Sequence, residues 1–174
     1  MPTLPLLIVG AAVAAAIVFF FLQPKEPRPR KVPHDYFDRL WLWPSGSHTR
    51  WEAEVDLVVP GVEKMVGLHA ETTHEDLSTE EPSDAEVAFC QKWLADLDGL
   101  FQLAQPAIEG IWSDWVDHAI PADWRADLLL VGLSAPLNGD GDHPWEVSYF
   151  CGPAAHYFTV EMRGGKAVSL SVDG

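Results

Sequence analysis

The sequence predicts an α+β domain preceded by a single transmembrane helix. Three observations lead to this fold class: an uncharged apolar run near the N-terminus, apolar residues that alternate with polar ones in two separate regions, and helical periodicity between those regions. Their order predicts an N-terminal β-hairpin, a central helical pair and a C-terminal antiparallel β-meander. We expect the helices to pack on one face of a sheet.

Residues 4–22 are the predicted transmembrane helix, after a short tail at 1–3. The run has no charged side chain, and as a helix it would be about 28 Å long, close to the thickness of a bilayer core. A buried soluble helix and a cleaved signal peptide are the alternatives. The tail lacks a basic residue and the run ends in bulky side chains, which argues against cleavage. Small residues four apart, such as Gly10 and Ala14, would allow packing against a second copy or a larger complex.

A basic cluster follows the apolar run and predicts its orientation. Basic residues beside a span tend to remain in the cytoplasm. We therefore expect a single-pass protein of the cell (inner) membrane, with the N-terminus outside and residues 25–174 in the cytoplasm. Residues 23–33 contain four prolines and are a predicted extended linker, whose bases would also contact anionic lipid of the bilayer. The cluster consists of Lys25, Arg28, Arg30 and Lys31.

The composition predicts one acidic domain with a basic partner. The 174 residues include 26 acidic and 11 basic ones, which gives a net charge of −15. Because four of the basic residues belong to the cluster, the domain itself is more acidic still. A nucleic-acid binder needs a basic surface, so that class is excluded. High negative charge also favours solubility, and this is the alternative to a partner with a basic surface.

The predicted hairpin lies between Trp51 and Ala70. Apolar residues from Trp51 to Val59 alternate with acids, Pro60-Gly61 makes the turn, and a second strand follows. A short strand at residues 38–43 precedes the hairpin. Residues 71–84 are a predicted acidic loop.

The predicted helical pair begins at a capping box. Ser83 is a good N-cap, and Glu86 stands at the third helical position. Apolar residues then recur at intervals of three and four as far as Ala104. Pro106 is expected to separate the first helix from the second, which extends to about Val116.

The C-terminal third is again predicted to be β structure. Residues 128–133 form a short apolar run, and Trp145, Val147 and Tyr149 alternate with polar residues. The chain then turns tightly at 163–166 and ends in another alternating segment. These segments make up the predicted meander.

Together these segments resemble a family of small bacterial domains of unknown function. The pattern "RLWL…W…AEVDLVV…VEKMVGLHAE", a helical pair and "WEVSYFC…HYFTVEMRGGKAVSLSVDG" carry the resemblance over most of residues 36–174. Its landmarks are Trp51, Trp145, Asp173 and Gly174. Some members are encoded near toxins and are regarded as candidate immunity proteins. The resemblance implies binding or protection rather than a reaction, although the anchor and the tryptophan-rich helices depart from the family pattern.

Three residue sets in the sequence have types that could carry chemistry. Asn138, Asp140 and Asp142 have the start of a calcium-loop spacing, but the sixth and twelfth positions lack the required glycine and glutamate, which favours a surface turn. His69 and His74 lie near acids without a fixed helical spacing. Cys151 and His156 could serve as nucleophile and base, but no third group orients the histidine. The sequence therefore predicts no metal, no cofactor and no catalytic residue, and both cysteines are expected to be reduced.

The sequence thus predicts a membrane-anchored, non-catalytic protein-interaction domain, with an immunity-like role implied by the resemblance. An accessory subunit of a larger membrane complex is the first alternative, and a small Cys/His hydrolase is the second. Tryptophan is enriched at interfaces, and loop acids would attract a basic surface. The candidate partner-binding residues are accordingly Glu75, Asp76, Glu80, Glu81, Trp41, Trp43 and Trp124.

Overall fold

The computed structural model describes residues 28–44, 47–59, 62–71 and 81–174, which form an eight-stranded sheet with two helices on one face. Both helices contact the same side of β6, because Phe89 meets Trp145 and Phe101 meets Tyr149. The strands are β1 (Arg30–Val32), β2 (Arg39–Leu42), β3 (Thr49–Val59), β4 (Val62–Glu71), β5 (Leu128–Ser134), β6 (Trp145–Cys151), β7 (His156–Arg163) and β8 (Lys166–Asp173). The helices are α1 (Asp84–Ala95) and α2 (Leu97–Trp115), and short 3-10 helices span Trp124–Ala126 and Leu137–Gly139.

The strands lie in the sheet in the order in which they occur in the chain. Every neighbouring pair is antiparallel except β4 and β5, which are parallel with Gly67 opposite Gly132. A parallel pair needs a long crossover connection. Here the connection contains both helices. The crossover that makes β4 and β5 parallel therefore also places the helices on one face of the sheet.

The fold class predicted from the sequence is wrong. The two predicted β regions form one continuous eight-stranded sheet instead of a hairpin and a separate meander. Local periodicity reveals single strands, but the parallel pairing of β4 with β5 joins residues more than 60 positions apart and leaves no local signal. Within the described ranges, no helix is long and apolar enough to cross a membrane. The predicted transmembrane helix, residues 4–22, lies outside those ranges.

Two predicted boundaries also differ from the structure. The first helix ends at Ala95, and Asp96 caps the next helix by accepting a hydrogen bond from the Gly99 amide. Pro106 therefore lies inside α2 and does not separate the helices. It removes one helical hydrogen bond, while Ala104 and Ile108 on either side of it are buried in the core. The folded part also begins within the predicted linker, since Arg30–Val32 forms β1.

The core lies between the helices and the sheet. Side chains that alternate along each strand point to this side, and Trp51, Tyr149 and Phe158 are almost completely buried. Phe89, Trp93 and Trp145 form one aromatic group beneath α1. The other face of the sheet, which we call the polar face, carries half-buried acids beside a few large apolar side chains. The acids are Glu52, Glu54, Glu146 and Glu161, and the apolar residues include Trp41, Leu129, Phe150 and Tyr157.

The carboxylate of Glu86 connects three parts of the fold. The predicted capping box is confirmed: Ser83 Oγ accepts a hydrogen bond from the Glu86 amide, and Glu86 Oε2 accepts one from the Ser83 amide at 3.0 Å. The same carboxylate pairs with Arg50 of β3 and accepts hydrogen bonds from Trp51 Nε1 and from the Asn138 amide. Glu86 is completely buried and Arg50 nearly so. One charged group therefore joins β3, the start of α1 and the segment after β5.

Gly139 allows this close approach. Its φ is +68°, a conformation that favours glycine. A Cβ at this position would lie 2.3 Å from the carbonyl oxygen of Ala85 in the first turn of α1. The chain after β5 can therefore reach the Glu86 carboxylate only with a glycine at 139.

Removal of Glu86 is expected to destabilise the fold strongly. Glu86→Ala should lower the free energy of unfolding by about 3–5 kcal/mol, because it leaves the buried Arg50 without its carboxylate. Asp84→Ala is the matched control: this acid is exposed in the same helical turn, so its loss should cost less than about 1 kcal/mol. Urea denaturation measures both. Equal costs for the two variants would contradict the role assigned to Glu86.

Candidate functional site: an acidic cleft beside the second helix

A cleft of about 680 Å³ lies between α2 and the strap, residues 116–123, which follows that helix. The side of α2 that borders the cleft presents polar residues at intervals of three and four. They lie beside the buried stripe that holds the helix on the sheet. One helix thus supplies both the attachment to the core and one wall of the cleft. The polar residues of this wall are Asp98, Gln102, Gln105, Glu109 and Ser113.

The strap is fastened at both ends. At its start, the Val116 amide donates to the carbonyl of Trp112, and Trp112 Nε1 donates to the carbonyl of His118. At its far end, Trp124 Nε1 donates to Asp98 Oδ1 at 2.9 Å, and Arg125 forms an ion pair with the same carboxylate at 2.9 Å. These contacts hold the strap beside α2 and give the cleft a defined shape.

Aromatic rings form the floor of the cleft. Phe101 and Trp124 stack with their ring centroids 4.8 Å apart, and both contact Tyr149 edge to face. Trp112 continues the floor towards the other end and touches Phe158. These rings belong to the core, so the floor is rigid. It offers apolar surface to a side chain that enters from solvent.

The charge of the cleft is negative. Asp98, Glu109 and Asp117 line it, and no lysine or arginine is among its lining residues in the described ranges. Hydrogen bonds from Arg125 and Trp124 hold the pKa of Asp98 below its usual value, so this carboxylate is ionised at neutral pH. Gln105 donates to the Glu109 carboxylate at 2.6 Å. A site with these features favours a cationic ligand that also has an apolar part.

Pro106 leaves a further acceptor on this helix. A proline has no backbone N–H, so the carbonyl of Gln102 receives no helical hydrogen bond from residue 106. The side-chain amide of Gln102 is exposed and lines the cleft. Amides and free carbonyls can pair with the backbone of a bound peptide.

The predicted partner-binding residues do not form one site. Trp124 is only 6% exposed and belongs to the core, so it contributes part of the cleft floor and is not a free ring at the surface. Trp41 and Trp43 are half-buried at the other end of the sheet. Glu81 is exposed just before α1. Glu75, Asp76 and Glu80 lie outside the described residues.

The membrane-orienting residues are described in part. Arg28, Arg30 and Lys31 are exposed, and the last two belong to β1. Lys25 lies outside the described residues. The orientation that these bases predict stays a prediction.

The three residue sets with chemically capable side chains have structural roles in the described ranges. Asp140 and Asp142 make a turn in which the Asp142 amide donates to Asp140 Oδ1, and the Asn138 amide donates to Glu86. No group of three or more potential metal ligands occurs among the described residues. His69 lies half-buried on the polar face of the sheet, and His74 is outside the described ranges.

Cys151 and His156 are opposite each other on β6 and β7. Cys151 is completely buried, and burial raises the pKa of its thiol, which favours the unreactive protonated form. The Nδ1 atom of His156 lies 2.6 Å from the carbonyl of Ala154, which holds the ring. Cys90 is also buried, and burial, with a smaller effect of Glu86, raises its pKa to about 12. Neither thiol has the environment of a nucleophile.

Sequence reasoning did not identify the cleft. Asp98, Gln105 and Glu109 have helical spacing, but such a stripe is also what any solvated helix face shows. The strap has no regular pattern, and its path depends on contacts with Asp98 and Trp112. No protein family, curated protein or solved structure matches this chain. The resemblance to small bacterial domains therefore stays a prediction.

His118 in the strap is expected to titrate above its ordinary value. Hydrogen bonds to Asp127 at 2.7 Å, and then to Asp117 at 3.2 Å, favour the imidazolium and raise the pKa of His118. The ion pairs of His118 with Asp127 and Asp117 therefore stabilise the strap fully below a pH of about 6.5, the usual pKa of a histidine. This stabilisation is lost as the pH rises through the raised pKa.

A proton NMR titration of the His118 ring tests this contact. The expected pKa lies above 6.5 and falls in Asp127→Asn. Asp123→Asn is the control, because Asp123 lies in the same segment but contacts Arg125 instead. A His118 pKa that is the same in the Asp127 variant as in the parent protein would show that the contact does not fasten the strap.

Proposed function

We propose that this protein is a non-catalytic protein-interaction domain whose acidic cleft binds a basic segment of another protein. The observation that supports it most is the combination of an aromatic floor with three carboxylates and no lysine or arginine in the described lining. A small inorganic cation would not use the aromatic floor. A basic peptide uses both features, since it can seat an apolar side chain on the rings and place its charges at the rim.

The size and polarity of the cleft agree with such a ligand. About 680 Å³ is enough for a few side chains. Asp117 and Asp98 are largely exposed at the rim, so their charges act mainly on the rate of association. The rings below them are 4–6% exposed, so an apolar side chain of the peptide contacts only the parts of the rings that border the cleft.

The alternatives have less support. The hydrolase hypothesis needs a reactive Cys151, and that thiol is buried with a raised pKa. An accessory-subunit role and an immunity-like role are both forms of protein binding, and each stays a prediction. Membrane attachment and orientation also stay predictions, because residues 4–22 lie outside the described ranges.

Binding of a defined basic peptide tests the proposal. The probe is a fluorescein-labelled peptide of sequence RPLRPLRPL, whose prolines remove the N–H groups needed to pair with a strand edge. Glu109→Gln/Asp117→Asn should weaken its binding on the order of ten-fold, because exposed charge pairs each contribute about 0.2–1 kcal/mol. Fluorescence anisotropy measures the affinity, and stopped flow should show slower association as salt is raised.

Asp35→Asn/Asp142→Asn is the matched control. Both residues are exposed and lie outside the cleft, so this variant removes the same charge from the domain. It should leave the affinity within about two-fold, the range of ordinary surface substitutions. If both double variants weaken binding equally, the peptide responds only to net charge, and the cleft is not its site.

A further inference from the structure

Among the residues that the structure describes, β8 forms one edge of the sheet, and no described strand pairs with its outer side. Within the described residues β8 pairs with β7 and with no other strand. An edge strand presents a row of backbone N–H and C=O groups that can pair with another extended chain. Natural sheets usually carry features that prevent such pairing, so their presence or absence on each edge is informative.

The opposite edge of this sheet carries these features, whereas β8 mostly lacks them. β1 has three residues, two of which are basic, and Pro29 and Pro33 flank it. β8 has eight residues and no proline, and its only charges are Lys166 and Asp173 at its two ends. The edge at β1 is thus short, charged and bounded by prolines, while the edge at β8 is long and nearly uncharged.

One irregularity limits the usable part of β8. The register with β7 shifts between Glu161 and Met162, so that Val168 is an extra residue without an opposite partner. Bulges of this kind bend an edge strand and redirect a side chain, and Val168 is 58% exposed. After the bulge the pairing is regular, which leaves Ser169–Asp173 as an extended edge of five residues.

Exposed apolar side chains are concentrated around this edge. The large hydrophobic residues exposed in the described ranges are Trp115, Tyr157 and Val168. Val168 lies on β8 and Tyr157 on the adjacent β7, opposite Asp173. Trp115, at the end of α2, contacts the β7 ring of Phe158. Apolar exposure beside unpaired backbone indicates that this border of the sheet is contacted by another chain.

We propose that Ser169–Asp173 binds an extended segment of a partner protein, which adds a ninth strand to the sheet. The unpaired backbone defines the conformation of that segment, because only an extended chain can satisfy a strand edge. This surface is separate from the acidic cleft, and the proposal does not depend on the cleft.

The two faces of β8 define the side chains that the segment needs. Leu170 and Val172 are opposite the buried Val160 and Phe158, so they face the helices. Ser169, Ser171 and Asp173 face the polar side, where Ser169 donates to Glu161. A complementary strand therefore alternates apolar residues towards the helices with basic residues towards Glu161 and Asp173.

A second copy of this chain fits the edge less well. Antiparallel pairing of β8 with itself would keep the helices of both copies on the same side. α2 packs over β8 and β7. In such a dimer the α2 helices of the two copies would lie above two β8 strands that are only about 4.8 Å apart. Packed helices need an axial separation of about 8–10 Å. A single strand has no such conflict.

Peptide binding to the full chain tests the proposal. The probe is a labelled peptide of sequence KVKVKVK, with two versions that carry N-methyl groups either on its valines or on its lysines. When its valines face the helices, one edge of the peptide pairs with β8 if the two strands run antiparallel and the other edge if they run parallel, and the antiparallel pair is the more stable. The version methylated on the edge used in the antiparallel pair should therefore bind several-fold more weakly, and the other version should bind like the parent peptide. If both versions bind as tightly as the parent peptide, backbone pairing is absent and the proposal is wrong.

Hydrogen exchange locates the contact on the protein. Amides within Ser169–Asp173 should exchange several-fold more slowly when the peptide is present, while those of β1 should not change. Protection of β1 or of α2 without protection of β8 would overturn the proposal. A dimer in sedimentation without the peptide, together with protection of the β8 amides in that dimer, would also overturn the proposal. A second copy of the chain would then occupy the edge. Loss of RPLRPLRPL binding alone would bear only on the cleft.

Discussion

The buried carboxylate of Glu86 is the interaction on which the rest of this structure depends. Its two oxygens accept hydrogen bonds from Arg50 and Trp51 of β3, from the cap of α1 and from the chain that follows β5. A charge can be buried only when its partners are complete. The requirement for all of these donors thus positions the first helix over the sheet and brings the two halves of the sheet together.

The acidic cleft depends on this arrangement through a short series of contacts. α1 is followed almost directly by α2, because Asp96 both ends the first helix and caps the second. α2 then carries Asp98 to Trp124 and Arg125, which fasten the strap. The rings of Phe101 and Trp124 rest on Tyr149 of β6. The floor of the cleft is therefore part of the core, and its acids lie on a rigid helix, an arrangement suited to recognition with little rearrangement.

Local features of this chain could be predicted from the sequence, whereas the features that depend on distant contacts could not. The capping box at Ser83 and the alternation of apolar and polar residues around Trp145 could be predicted, because each depends on residues that are close together in the sequence. The parallel pairing of Gly67 with Gly132 was not. Trp124 has no periodic neighbours, and its burial follows from stacking on Phe101, a contact between separate elements. The net charge alone predicted a partner with a basic surface. The position of the cleft, where acidic side chains lie beside aromatic rings, could be found only from the three-dimensional structure.

Site-specific photo-crosslinking in the native cell tests whether the cleft receives a basic segment of a partner. A photoreactive residue at Gln102, which lines the cleft, is compared with one at Gln91, which is exposed on α1. We expect residue 102 to crosslink to a lysine- or arginine-containing segment of one protein, and Glu109→Gln/Asp117→Asn to remove the crosslink. Equal crosslinking of that protein from residue 91, or a crosslink from residue 102 that is unaffected by the acid variant, would contradict this expectation.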